Sequence, residues 1–96
     1  MTEPLTLAAQ VKAAPGQLST QLDGEVVILN TASGSYFSLD SVGTDVWNHI
    51  QTPCQVARVH EQLLAKYEVE PARCERDLLE LLVNLRAAGL LEVLSE

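Results

Sequence analysis

The chain has 96 residues, of which 47% are hydrophobic, so it is long enough for one domain and too short for an elaborate active-site cleft. Its 13 acidic and 6 basic residues give a net charge of -7, which disfavours nucleic acid and anionic lipid as partners. The N-terminus has no basic cluster followed by an apolar run, and the two cysteines lie in ordinary helical patterns. We therefore expect no signal peptide, no transmembrane span and a reducing, cytoplasmic location.

The first 16 residues have weak periodicity and end in the chain breaker Pro15-Gly16. This pattern predicts a flexible or loosely packed N-terminal lead-in over residues 1–16, which can include a short extended piece at residues 7–12. A single domain is expected to follow over residues 17–94.

Three segments with strand character come next. The segment "QLSTQL" (17–22) alternates apolar and polar residues, Asp23-Gly24 is a hairpin turn signal, and "EVVILN" (25–30) is rich in β-branched residues. After the turn formers "TASG" (31–34), "SYFSL" (35–39) has strand character again. These signals predict a three-stranded antiparallel meander with its third strand at an edge.

From Asp40 onward the hydrophobic period changes from 2 to 3.6, which predicts helices. Asp40 or Ser41 is expected to cap the first helix, in which Trp47 lies beside the apolar stripe and is assigned to the core. The pair Thr52-Pro53 suits the end of this helix and the start of a second one. The second helix carries an apolar stripe at Val56, Val59, Leu63 and Tyr67.

Pro71 is expected to open a third helix over about 72–88, with Gly89 as its left-handed C-terminal cap. A core stripe on this helix comprises Cys74, Leu78, Leu81, Leu82 and Leu85, and a second stripe comprises Ala72, Leu79 and Val83. The second stripe indicates either a helix buried on two sides or one wall of a groove for an apolar ligand. Residues 90–94 are expected to return as a strand or to pack as coil.

The third predicted strand has none of the sequence devices that protect an exposed edge, such as lysine, proline or a bulge. Either the C-terminal segment covers this edge, or a strand of another chain pairs with it. Alternation places one of Tyr36 and Phe37 toward the helices and the other outward, without deciding which.

Other chemistry finds little support in the residue spacing. His49, Cys54, His60 and Cys74 match no common zinc pattern, so we expect no metal site. A nucleophilic Cys54 with a histidine base would need an activating site and an oxyanion hole that so short a chain gives no sign of. We expect no catalytic residues and no cofactor.

The order and spacing of several motifs carry a family resemblance. They are a strand ending in "ILN", the strand "GSYFSL", "GTDVW" in the first helix, "YEV" after the second, and "DLLELLVNLRAAGLL" in the third. Over residues 24–91 the chain resembles the PqqD-like RiPP recognition element, the leader-peptide-binding domain of ribosomal peptide natural product pathways.

The resemblance implies an α+β, winged helix-turn-helix-like fold, with a three-stranded antiparallel sheet followed by three helices. It also implies that a precursor's leader peptide adds as an antiparallel strand to the third strand, in a groove beside the third helix. The strand residues would be Ser35, Tyr36, Phe37, Ser38 and Leu39. The helical wall would draw on Arg73, Arg76, Asp77, Glu80, Leu81 and Asn84, with Leu79 and Val83 added if the helix is rotated that way.

The resemblance implies two kinds of processing partner. In lasso-peptide pathways the free-standing domain delivers the precursor to a cysteine leader peptidase and then to an ATP-dependent cyclase. In pyrroloquinoline quinone pathways it acts as a peptide chaperone that presents the precursor to a radical SAM enzyme. The helix motif "SVGTDVW" and the ending "LRAAGLL" favour the lasso type.

Two alternatives from other classes stay open. A helix-turn-helix topology suggests DNA binding, but the arginines at 73, 76 and 86 are balanced by acids at 75, 77 and 80. The second alternative is a dimerisation module whose exposed strand pairs with a copy of itself.

Overall fold

The computed structural model describes residues 5–95. In chain order the elements are β1 (Gln10–Ala13), β2 (Gln17–Leu22), β3 (Glu25–Asn30), β4 (Tyr36–Leu39), α1 (Ser41–His49), β5 (Cys54–Gln55), α2 (Val56–Lys66), α3 (Pro71–Ala87) and β6 (Leu91–Ser95). The strands form two three-stranded antiparallel sheets, one ordered β2-β3-β4 and the other β5-β1-β6. The first sheet and the three helices confirm the predicted α+β architecture.

The sheet β2-β3-β4 is the predicted meander. Its first turn has two central residues, Asp23 at φ 53° and Gly24 at φ 81°, as a type I′ hairpin turn requires. One face of the sheet carries the buried side chains of Val26, Ile28 and Leu39, and it packs against the helices. The meander therefore contributes one layer of the core and leaves its other face to solvent.

Two of the three helices, α1 and α3, begin or end with a local signal. The Asp40 carboxylate caps α1 by accepting from the Gly43 N–H at 2.8 Å. Pro71 is the first residue of α3, where its missing N–H costs no hydrogen bond. At the other end of α3, Gly89 has φ 77°, and the Leu90 N–H donates to the Leu85 carbonyl at 2.9 Å, as in a Schellman motif.

The start of α2 differs from the prediction. Thr52-Pro53 does not begin this helix, because Cys54 and Gln55 first pair with β1 as the short strand β5, and α2 starts at Val56. The backbone hydrogen bonds that these two residues make with β1 outweigh the local preference of the Thr-Pro pair for a helix start.

The described part of the predicted lead-in is not loose. Residues 10–13 form β1, the middle strand of the second sheet, and Ala9 and Val11 are fully buried. Apolar burial and pairing with two strands hold this segment in place. The extended piece predicted within residues 7–12 overlaps β1, but the prediction of a loosely packed lead-in is wrong for this segment, because it is buried in the core. Residues 1–4 lie outside the described part.

The C-terminal segment 91–95 forms a strand, one of its two predicted outcomes, but β6 pairs with β1 and not with β4. Trp47 is 3% exposed, which confirms its assignment to the core. Among residues 5–95, no helix is long and apolar enough to cross a membrane.

Candidate functional site

A groove with a volume of about 630 Å³ lies between β4 and α3, and α1 and the segment after α2 form its remaining wall. Most of its lining is apolar, while three carboxylates, those of Glu25, Asp40 and Asp77, also line it. The other lining residues are Phe37, Ser38, Leu39, Val42, Gly43, Val46, Leu63, Tyr67, Val69, Cys74, Leu78 and Leu81. The arrangement suits an extended peptide with apolar side chains.

The outer edge of β4 is open in the described part of the chain, because β3 is its only neighbour in the sheet. The Asn30 N–H donates to the Ser35 carbonyl at 2.9 Å, so these two residues form a hydrogen-bonded pair. Since such pairs alternate along antiparallel strands, Phe37 and Leu39 direct their backbone groups toward β3. The backbone N–H and C=O groups of Tyr36 and Ser38 therefore face the open edge.

The two aromatic side chains of β4 lie on opposite faces of the sheet. Phe37 is half-buried, packs against the core and lines the groove. Tyr36 is 74% exposed on the outer face, opposite Leu29 of β3. The choice that the sequence left open is thus resolved, with Phe37 toward the helices.

The spacing between β4 and α3 is fixed by Asn30, the last residue of β3. Its Nδ2 donates to the Ala88 carbonyl at the end of α3, at 3.0 Å. Its Oδ1 accepts from the backbone N–H groups of Ala32 and Ser33, at 3.0 and 3.3 Å, in the turn that leads to β4. One side chain therefore ties the turn before β4 to the helix on the other side of the groove.

Another buried contact supports the sheet beneath the groove. Thr44 of α1 is 4% exposed, and its Oγ1 accepts from the Val26 N–H at 3.1 Å. This hydrogen bond joins α1 to β3 and satisfies a polar side chain inside the core. The α1 wall is therefore held against the sheet by a directional contact as well as by apolar packing.

The structure brings together some of the residues that the sequence assigned to the site and separates others. Phe37, Ser38, Leu39, Asp77 and Leu81 all line the groove. The remaining assigned residues, Ser35, Tyr36, Arg73, Arg76, Glu80 and Asn84, lie outside its lining, as do Leu79 and Val83.

The rotation of α3 explains this division. Cys74, Leu78 and Leu81, all from the predicted core stripe, point toward the sheet and the groove, whereas Val83 is 48% exposed. The second apolar stripe is therefore not the groove wall. Leu79 instead packs partly buried against the core.

The two arginines that were assigned to the site form ion pairs on the surface of α3. Arg73 Nε and Arg76 Nε each lie 3.8 Å from an Asp77 carboxylate oxygen, and all three side chains are largely exposed. Exposed pairs of this length contribute little to stability. Asp77 lines the groove, whereas the two arginines that pair with it lie outside the lining.

Ten residues of the groove lining were not assigned to the site from the sequence, namely Glu25, Asp40, Val42, Gly43, Val46, Leu63, Tyr67, Val69, Cys74 and Leu78. Tyr67 is the residue at which α2 ends, and its hydroxyl donates to Asp45 Oδ2. The "YEV" motif of the family resemblance contains Tyr67 and Val69, so it could have pointed to these two residues. The helical periodicity of the sequence assigns Tyr67 only to the apolar stripe of the second helix.

Cys74 lines the groove as a buried thiol. Burial raises the pKa of Cys74, and the nearby negative charge of Asp77 raises it further. Burial also raises the pKa of Cys54. Both thiols are thus neutral at pH 7, which suits packing better than nucleophilic chemistry. Within residues 5–95, no group of three or more His, Cys, Asp or Glu side chains is placed to hold a metal ion.

Comparison with known proteins assigns the family. Residues 25–91 match the family model of PqqD, the coenzyme PQQ synthesis protein D, over more than two thirds of the chain. The chain therefore belongs to the PqqD family. No curated protein sequence matches it.

Two solved structures are similar to the chain. TbiB1 in complex with the TbiA(β) leader peptide superposes with a TM-score of 0.78 at 33% identity, covering 84% of this chain and 94% of that one. Lasso peptide synthetase B1 complexed with the leader peptide superposes with a TM-score of 0.76 at 27% identity, covering 85% and 96% respectively. Both similar proteins are held in complexes with leader peptides.

Proposed function

We propose that this protein binds the leader region of a ribosomally synthesised precursor peptide by adding it as a strand to the open edge of β4. The observation that carries this proposal is the open, uncharged edge directly beside an apolar groove. The similarity to two leader-peptide complexes supports it. The protein acts as a non-catalytic recognition domain.

Backbone hydrogen bonds supply the first part of the binding energy. Tyr36 and Ser38 each present one N–H donor and one C=O acceptor at the open edge, and an antiparallel strand satisfies all four groups. These backbone hydrogen bonds do not depend on the leader's side chains, so they form with any extended peptide that has no proline at the pairing positions.

Side chains supply the selectivity. Because alternate residues of an added strand face the same side, every second leader residue points into the groove between β4 and α3. There Phe37, Leu78 and Leu81 offer apolar contacts. The surrounding carboxylates of Glu25, Asp40 and Asp77 disfavour acidic leader residues at the groove.

The bound precursor is then delivered to processing enzymes, which we propose to be a lasso-type cysteine leader peptidase and cyclase. The similarity to lasso peptide synthetase B1 favours this pathway over presentation to a radical SAM enzyme. We propose that this occurs in the cytoplasm, where precursor peptides are synthesised.

A hydrogen-exchange experiment tests the mode of binding. The 15N-labelled protein is titrated with the synthetic leader of the precursor encoded beside its gene, and amide exchange is followed by NMR. Binding by strand addition is expected to slow exchange at Tyr36 and Ser38, whose N–H groups face the open edge, more than at Phe37, already paired with β3. Binding that leaves the exchange of both edge amides unchanged would falsify strand addition at β4.

A further inference from the structure

The wall of the groove opposite the sheet contains a tyrosine whose ring is held from outside the groove. Tyr67 lines the groove, and its hydroxyl donates to Asp45 Oδ2 on α1. Lys66 Nζ lies 2.9 Å from the same carboxylate oxygen. The ring therefore faces the groove while its polar end is held on α1.

This hydrogen bond matters because of where Tyr67 lies in the chain. The residue follows the last turn of α2, with an extended backbone at φ -117° and ψ 143°. The helix no longer restricts its side chain, so the ring is held by the hydroxyl contact, by partial packing against the core, and by Lys66 Nζ at 5.6 Å from the ring centroid. The Asp45 carboxylate is a charged acceptor, because the Tyr67 hydroxyl and the Lys66 ammonium lower its pKa and keep it ionised.

Three other residues of the groove lining are rigid for a different reason. Val46 is 0% exposed and Leu63 and Leu78 are each 3% exposed, so they are fixed by the packing of the core. Tyr67 is only half-buried, and it is a large side chain that lines the groove without being packed on all sides. Its position therefore sets how much room a guest side chain finds beside α1.

We propose that Tyr67 is a specificity-determining residue that limits the size of one apolar leader side chain, and that Asp45 is the positioning residue that holds it in place. This inference rests on the proposed function, since it assumes that a leader peptide occupies the groove. Beyond leader binding itself, the inference is that one leader side chain is limited in size. The hydrogen bond from Tyr67, at the end of α2, to Asp45 on α1 maintains this limit.

The test compares peptide preferences and not affinity alone. A set of fluorescein-labelled leaders is prepared from the precursor encoded beside the gene, in which each apolar residue is changed in turn to Ala, Leu or Trp. Dissociation constants are measured by fluorescence anisotropy for the wild-type protein and for Tyr67→Ala, Tyr67→Phe and Asp45→Asn. Glu61→Gln, an exposed acid on α2 outside the groove lining, is the matched control for loss of a carboxylate.

At one leader position the wild-type protein is expected to prefer Leu to Trp, and Tyr67→Ala to shift the ratio of the two dissociation constants by about tenfold toward Trp. Tyr67→Phe keeps the ring but removes its hydrogen bond, and Asp45→Asn replaces the charged acceptor by a weaker, neutral amide oxygen, so we expect a smaller shift of about two- to fivefold in the same direction. Glu61→Gln is expected to leave the ratio unchanged. If Tyr67→Ala does not fold, as judged by circular dichroism, Tyr67→Leu replaces it.

The outcomes separate the two proposals. Suppose that the wild-type protein binds the leader, and that Tyr67→Ala either raises the dissociation constants of all leader variants by the same factor or leaves them all unchanged. Tyr67 then does not set the size limit, and the proposed function stands. If both Tyr67→Phe and Asp45→Asn leave the ratio at the wild-type value while Tyr67→Ala shifts it, the positioning role of Asp45 is refuted. If the wild-type protein binds no leader, the proposed function fails and this inference fails with it.

Discussion

Phe37 pairs in register with Ile28, and both side chains lie on the face of the sheet that packs against the helices. Their neighbours Tyr36 and Leu29 form the next pair, on the exposed face. One strand thus presents two aromatic rings in two different environments. The pair also provides an internal control for the proposed binding site.

Replacing Phe37 by alanine is expected to weaken leader binding by tenfold or more. The groove loses an apolar ring whose burial by the leader contributes about 2 kcal/mol to the binding free energy. Tyr36→Ala is expected to change affinity by less than about twofold, since its ring points away from the groove while its backbone groups stay in place. Isothermal titration calorimetry measures both, after circular dichroism has established that both variants are folded. Equal losses for the two variants would contradict the assignment of Phe37 to the groove.

Ser38→Pro removes a backbone donor that faces the open edge of β4 without changing a buried side chain, since Ser38 is exposed. We expect leader affinity to fall by about tenfold, the equivalent of one or two lost hydrogen bonds, with little change in the unfolding midpoint. Fluorescence anisotropy with the labelled leader measures this loss.

Ser19→Pro on β2 is the matched control. Leu22 and Glu25 close the two-residue turn as a hydrogen-bonded pair, so alternation directs the backbone groups of Ser19 to the outer edge of β2. This variant is expected to bind the leader with wild-type affinity. Weakened binding in Ser19→Pro but not in Ser38→Pro would move the strand-addition site to the other edge of the sheet.

Gly89→Ala is expected to destabilise the fold more than Gly16→Ala. Both residues have positive φ, 77° and 83°, which costs an alanine roughly 1–2 kcal/mol. At Gly89 a Cβ atom would also lie 3.2 Å from Asn30 Nδ2, whereas at Gly16 it meets no atom within 4 Å. Disturbing the hydrogen bond from Asn30 to Ala88 adds about 1 kcal/mol. Urea unfolding of both variants measures the difference, and equal destabilisation would count against the Asn30 contact.

The contact between Asp45 and Tyr67 predicts a pH dependence of stability. The Tyr67 hydroxyl, followed by Lys66, holds the pKa of Asp45 below its ordinary value of 3.8 in the folded protein. The stabilisation is therefore fully present above about pH 4 and is lost as the pH falls through the lowered pKa. We expect the difference in unfolding free energy between the wild type and Asp45→Asn to shrink below pH 4.

Urea unfolding at several pH values between 7 and 2.5 measures this difference. In a Tyr67→Phe background the main cause of the lowered pKa is absent, so the effect of Asp45→Asn is expected to depend less on pH. A difference that stays constant down to pH 2.5 in the wild-type background would show that the hydrogen bond does not favour the ionised carboxylate.

The elements with strong local signals were predictable from the sequence. The Asp23-Gly24 turn fixes the register of β2 and β3, and Pro71 and Gly89 mark the two ends of α3. These signals act within a few residues of where they occur, so no tertiary contact is needed to interpret them.

The second sheet could not be predicted in the same way. Its strands β1 and β6 have only four and five residues, which is too few for a clear hydrophobic period. These two strands also lie near opposite ends of the chain, so no local signal indicates that they pair. The two-residue strand β5 exists only because β1 lies beside it. Non-local pairing also explains why Thr52-Pro53 fails as a helix start.

The candidate site was predictable on the strand side and less so on the helix side. Alternation limits a strand residue to two orientations, so assigning the edge strand placed Phe37 and Leu39 on one face, and both line the groove. Ser38 also lines the groove, and its backbone groups face the open edge of the strand. A helix can rotate continuously, and packing against the sheet decides that Leu78 lines the groove and Asn84 does not. The position of Tyr67 also depends on a tertiary contact, because the residue at which α2 ends forms a hydrogen bond with Asp45 on α1.

The place of β1 between β5 and β6 has a consequence for anyone who transplants this domain into another protein. A graft cut at residue 17 would carry every residue that lines the groove. It would nevertheless leave β5 and β6 without the strand that joins them, and the sites now filled by Ala9, Val11 and Ala13 would become cavities in the core. The transferable unit therefore has to include the chain from Leu5 through β6.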